Sequence, residues 1–117
     1  MAAEPVAVYH TGRNAGRSSG GTGTVSLPAS VTIVEVGPRD GLQNEAVSLS
    51  VEDRVAFCDR LTAAGLPVVE VGAFVSPKWV PQMAGSDEVL RRVSKPEGVR
   101  LPVLVPNRTG FDVARAA

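Results

Sequence analysis

The sequence carries no excess of either charge. Its 12 basic and 12 acidic side chains cancel, so nothing electrostatic argues for a nucleic-acid or polyanion partner. It has one cysteine, Cys58, which excludes an internal disulfide and permits a reducing compartment. It has one histidine, His10, with no neighbouring Cys or acid to make a metal site, so His10 reads as solvent-exposed and inert. No apolar run approaches the roughly 20 residues of a membrane span. The N-terminal stretch lacks an apolar core of about 7–15 residues, which argues against a secretory signal. What is present is ordinary for a soluble globular chain: 44% hydrophobic and 21% charged residues over 117, enough for one small domain.

The chain divides near residue 30. Residues 1–30 are rich in Gly, Ser, Thr and Ala and lack hydrophobic periodicity, and Gly20-Gly21-Thr22-Gly23 has linker composition. This extension is expected to be poorly ordered. Arg13, Arg17 and the hydroxyl residues give it a weak likeness to an organelle transit peptide; an untargeted or mis-started extension is the preferred reading.

Residues 31–117 alternate strand and helix. The apolar runs 31–36, 67–71 and 101–105 read as strands. Their centres, Ile33, Val69 and Val103, lie 36 and 34 residues apart, the period of βα units. Continuous β-branched runs without alternation point to a parallel sheet buried on both faces. A helix begins after Ser50, a good N-cap, with Glu52 and Asp53 in its first turn. Val51, Val55, Cys58 and Leu61 share its apolar face, with Phe57 at the edge, and Gly65 caps its C-terminus. A short helix is expected over 86–93, a turn at 95–98 and a further helix from about Thr109. The fold class is α/β. The pattern supplies three βα units of an incomplete (β/α)8 barrel, a fold that typically needs about 250 residues. The alternative is a meagre three-stranded doubly wound sheet.

The chemistry-bearing residues cluster after the first strand. Gly37-Pro38 ends that strand, and Arg39, Asp40, Gly41 and Gln43 follow at its C-terminal end, where α/β folds bind ligands. They are a guanidinium, a carboxylate, a flexible glycine and a side-chain amide, a cluster of charged and hydrogen-bonding groups. The plain alternative for Arg39 and Asp40 is an exposed ion pair worth about 0–1 kcal/mol. Glu70 is a lone acid in an otherwise apolar strand, which favours a site role over a solvent contact. Cys58 reads as a core thiol. Trp79 and Met83 read as packing or lid residues, and Lys78 as a surface charge.

These residues carry a resemblance. Ile33-Val34-Glu35-Val36-Gly37-Pro38-Arg39-Asp40-Gly41-Leu42-Gln43-Asn44-Glu45 is similar to the first strand-loop of 3-hydroxy-3-methylglutaryl-CoA lyases. Phe74-Val75-Ser76-Pro77-Lys78-Trp79-Val80-Pro81-Gln82-Met83 resembles the loop after their second strand, and Leu104-Val105-Pro106-Asn107 with Gly110-Phe111 resembles the third. Related isopropylmalate and homocitrate synthases share Arg-Asp-Gly, but usually after Thr-Leu rather than Gly-Pro. The resemblance implies that residues 31–117 are the N-terminal part of a TIM-barrel lyase domain. It implies cleavage of hydroxymethylglutaryl-CoA, an acyl-CoA substrate, to acetyl-CoA and acetoacetate in leucine degradation and ketone-body formation. It also implies a divalent cation, Mg²⁺ or Mn²⁺, a homodimeric parent enzyme, and a location in the cytoplasm of a bacterium or the mitochondrial matrix. By position, Asp40 matches the metal ligand, Arg39 the catalytic and substrate-binding arginine, Glu70 a supporting catalytic acid and Gln43 a substrate-side polar residue.

Two departures stand out. Ala73 occupies a position where these lyases usually carry Ser. The family completes its site with a His-x-His pair, an Asn and a catalytic cysteine from later segments, and no His-x-His occurs here. The isolated chain is therefore expected to be inactive. The alternatives are another acyltransferase- or aldolase-type member of the superfamily, and a non-catalytic truncated product.

Overall fold

The computed structural model describes residues 27–117; the expectations for the tail's order and for His10 fall on residues outside these. Helix α1 (Val51–Ala63) starts at the expected cap, where Ser50 Oγ accepts the Asp53 N–H at 3.0 Å. It ends in a Schellman turn. Gly65 adopts φ 94°, its N–H donates to the Thr62 carbonyl at 3.0 Å, and the Leu66 N–H donates to Leu61 at 3.3 Å. The buried row of α1 is Arg54, Cys58 and Thr62. Val51, Val55 and Leu61 are partly buried and flank it. The expected apolar face is thus correct at Cys58 and incomplete at its centre, where Arg54 is fully enclosed.

Three segments run parallel in chain order. Glu35 pairs with Val69 in a single bridge, through Glu35 N–H to the Val68 carbonyl (2.9 Å) and Glu70 N–H to the Glu35 carbonyl (2.8 Å). Strand β1 (Gly72–Ala73) pairs with β2 (Val103–Leu104), Gly72 opposite Val103. Backbone bonds from Val69, Val71 and Phe74 to Arg100, Pro102 and Leu104 extend that ladder at 2.8–3.1 Å. Formal strands are shorter than the expected runs 31–36, 67–71 and 101–105. Pro67 and Pro102 accept ladder bonds but have no N–H to donate, and among the described residues the first segment has a partner on one side only.

Helix α2 (Ser86–Arg92) and helix α3 (Arg108–Ala116) occupy their expected places, α3 starting one residue early because Asn107 Oδ1 caps the Gly110 N–H at 2.9 Å. The core gathers Cys58 from α1, Val69 and Val71 from the central segment, and Val89 and Val93 at α2. Because the segments are parallel and adjacent, the connections that follow them, residues 37–45, 74–85 and 105–107, emerge at one end of the sheet.

Candidate active site

The first of these connections is a tight π-turn, Gly37–Gly41. The N–H groups of Arg39, Asp40 and Gly41 converge on the Val36 carbonyl at 3.1, 2.7 and 3.2 Å. The turn is braced from behind, where Glu35 Oε1 accepts the Gly37 N–H at 2.6 Å. A Cβ on Gly37 would lie 2.8 Å from that oxygen, so any larger residue there would displace the Glu35 carboxylate from its brace. At Gly41 a Cβ would meet nothing within 4 Å and φ is not positive, so no contact with the described residues demands glycine there.

The π-turn turns Arg39 back toward the central segment. Its Nη1 meets Asp40 Oδ1 at 3.0 Å, and its Nε lies 3.0 Å from Glu70 Oε2. The second contact is electrostatic, since the Nε–H is not aligned as a hydrogen bond. Arg39 and Glu70 side chains are 18% and 14% exposed, whereas Asp40 is 54% exposed. Arg39 is thus gripped from the sheet side by a screened carboxylate, while Asp40 keeps oxygen surface available to solvent. Three of the four residues singled out in the sequence come together here. Gln43 lies in the same loop, with its Oε1 buried and without a hydrogen-bond partner. Gln82 Nε2 donates to the Glu45 carbonyl at 2.9 Å, tying the second loop to the first.

Other expectations sort by burial. Trp79 is 80% exposed, so it is no packing residue, and Lys78 Nζ sits 5.8 Å from its ring centroid. Met83 is buried in the core. Ala73 is buried, and its N–H donates to Ser86 Oγ at 3.2 Å, so the hydroxyl beside this position comes from Ser86. Burial pushes the Cys58 thiol up to about 11, so it stays protonated and unreactive at neutral pH. Arg54, to which the sequence reading assigned no role, is the residue missed. Its i, i+4 spacing to Cys58 was the available signal. A concavity of about 520 Å³, lined by Phe74, Ser76, Met83, Ser86, Asn107 and Gly110 among others, opens beside loops two and three, apart from Arg39, Asp40 and Glu70.

Asp40 offers the right donor chemistry for a hard divalent cation, and the unpartnered Gln43 Oε1 is a second oxygen nearby in sequence. Among the described residues no group of three metal-capable His, Cys, Asp or Glu side chains exists. The donors therefore fit such an ion in kind but not in number.

A family profile described as HMGL-like matches residues 30–117. A hydroxymethylglutaryl-CoA lyase from Pseudomonas mevalonii is 59% identical over 87 residues, which is 74% of this chain and 29% of that protein. A mitochondrial hydroxymethylglutaryl-CoA lyase from Rattus norvegicus is 52% identical over 105 residues, 90% of this chain and 31% of the relative. The crystal structure of a hydroxymethylglutaryl-CoA lyase from Pseudomonas aeruginosa superposes with TM-score 0.75 at 54% identity, over 77% of this chain and 30% of that one. The chain spans about three-tenths of the length of these relatives.

Proposed function

The chain belongs to the HMGL-like family, and from that premise we propose that it contributes the first three βα units of a carbon–carbon lyase acting on 3-hydroxy-3-methylglutaryl-CoA. The products are acetyl-CoA and acetoacetate. The observation that carries this reading is Arg39 held between Glu70 and Asp40 at the loop end of parallel segments, inside the matched region.

The reaction takes the proton from a tertiary alcohol, breaks the adjacent carbon–carbon bond, and sends the electron pair into a thioester enolate. Arg39 supplies a fixed positive charge for that enolate oxygen; its guanidinium stays protonated throughout. Glu70 restricts the guanidinium to one orientation, which removes reorganisation from the barrier. Asp40, exposed and carboxylate-bearing, is the residue of this chain that would hold the divalent cation, Mg²⁺ or Mn²⁺, together with ligands from elsewhere, and Gln43 is the polar residue of the same loop on the substrate side. When bound, that cation acidifies the substrate hydroxyl. The setting is a bacterial cytoplasm or a mitochondrial matrix, a reading supported by one relative's bacterial origin and the other's mitochondrial name.

The test is made in a complete barrel carrying these residues. Arg39→Gln is expected to lower kcat by about 10²–10³, as loss of an oxyanion donor does, with metal affinity near the parent's. Asp40→Asn is expected to weaken metal binding. Equal loss of metal affinity in both variants would overturn the division of roles.

A further inference from the structure

Arg54 is 1% exposed, and no carboxylate among the described residues pairs with it. Burying a cation without a counter-charge is costly unless its donors are used. They are used on backbone and hydroxyl groups instead: Nη1 donates to the Ala84 carbonyl at 2.6 Å and Nη2 to Ser86 Oγ at 2.9 Å, while Nε is buried without a partner. Ser86 Oγ is the hub. It also accepts the Ala73 N–H at 3.2 Å and donates to the Met83 carbonyl at 2.7 Å. Gly72 makes room for the hub, since a Cβ there would lie 2.6 Å from Ser86 Oγ and 3.2 Å from Arg54 Nη2. A single residue of α1 therefore fixes the end of β1, the 3-10 turn Pro81–Met83 and the start of α2. That turn in its own right reaches the first loop through Gln82 and Glu45.

We propose that Arg54, acting through Ser86, is a positioning residue that sets the 74–85 loop and, through Gln82, the loop bearing Arg39 and Asp40. A hydrophobic side chain of similar length would fill the same space, but would leave the Ala84 carbonyl and Ser86 Oγ short of a donor. The alignment of the two loops, not the packing of α1, is what the guanidinium supplies. The catalytic meaning of that alignment rests on the lyase reading; the alignment itself does not.

Amide hydrogen exchange on the 117-residue chain separates these. Arg54→Met and the milder Ser86→Ala are expected to speed exchange of peptides covering 74–85 by about tenfold or more, as removal of a buried bonding partner implies. The amides of 39–45 should speed up with them, the 55–63 amides of α1 should hold, and Arg54→Lys should restore part of the protection. Acceleration spread evenly over α1 and the loops, or loops unchanged in both variants, would overturn the proposal. Failure of the lyase reading would leave this exchange pattern intact, so the two stand or fall separately.

Discussion

Arg39 is flanked by one screened and one exposed carboxylate, and the asymmetry decides what each contributes. The Arg39–Asp40 pair faces solvent and is worth about 0–1 kcal/mol to stability. The Glu70 contact, with both side chains largely screened, governs orientation. Glu70→Gln is therefore expected to lower kcat in a complete barrel by about tenfold, a smaller loss than the 10²–10³ for Arg39→Gln, because Arg39 keeps its charge and loses only its anchor. A steady-state comparison of the two variants checks the order. Cys58 gives a pH prediction. Its thiol titrates near 9.0 when unfolded and at about 11 when folded. Between these values the unfolded chain releases the proton and the folded chain keeps it. Stability is then unaffected below pH about 9 and declines toward pH about 11, by roughly 2–3 kcal/mol. The urea midpoint measured against pH should show this fall in the parent and not in Cys58→Val.

At the scale of elements, the helix ends are the most sequence-determined parts of the molecule. Gly65 stands at φ 94°, so Gly65→Ala is expected to cost about 1–2 kcal/mol, and Ser50→Ala about 1 kcal/mol. Urea midpoints of the two variants test both values. These caps were legible because each is a local bargain between one side chain or one φ and its neighbouring amides. The same locality made Asp40 and Arg39 legible, as adjacent residues in one turn. What the sequence left hidden depends on contacts between elements. The bonds that enclose Arg54 come from residues 30 and 32 positions later, beyond the reach of any helical-face argument. The Glu35 brace on Gly37 was also missed, because a side chain folding back two residues leaves no periodic trace. For Trp79 only the packing half of the packing-or-lid reading falls away. A large apolar ring usually signals packing, but here it projects into solvent beside Lys78.

At the scale of the molecule, the small core holds α1 and α2 against the central segment while much apolar surface stays open. Val34, Val36, Leu104, Phe111 and Val113 are exposed. Among the described residues, nothing pairs with the outer edges of the 31–36 segment or of β2. Open edges beside apolar side chains favour association. Light scattering on the purified chain should accordingly find self-associated species, and a monodisperse monomer would argue for the self-sufficient three-stranded sheet. On the proposed reading Arg39 is the oxyanion donor and Asp40 a cation ligand, and among the described residues no group of three metal-capable side chains completes such a site. The most direct measurement is acetoacetate release from 3-hydroxy-3-methylglutaryl-CoA with Mg²⁺, by this chain alone and after combining it with the five later βα units of a family relative. The account predicts no turnover above buffer from the chain alone, and turnover from the combination that Arg39→Gln abolishes. Turnover by the chain alone, or an Arg39→Gln combination as fast as its parent, would contradict it.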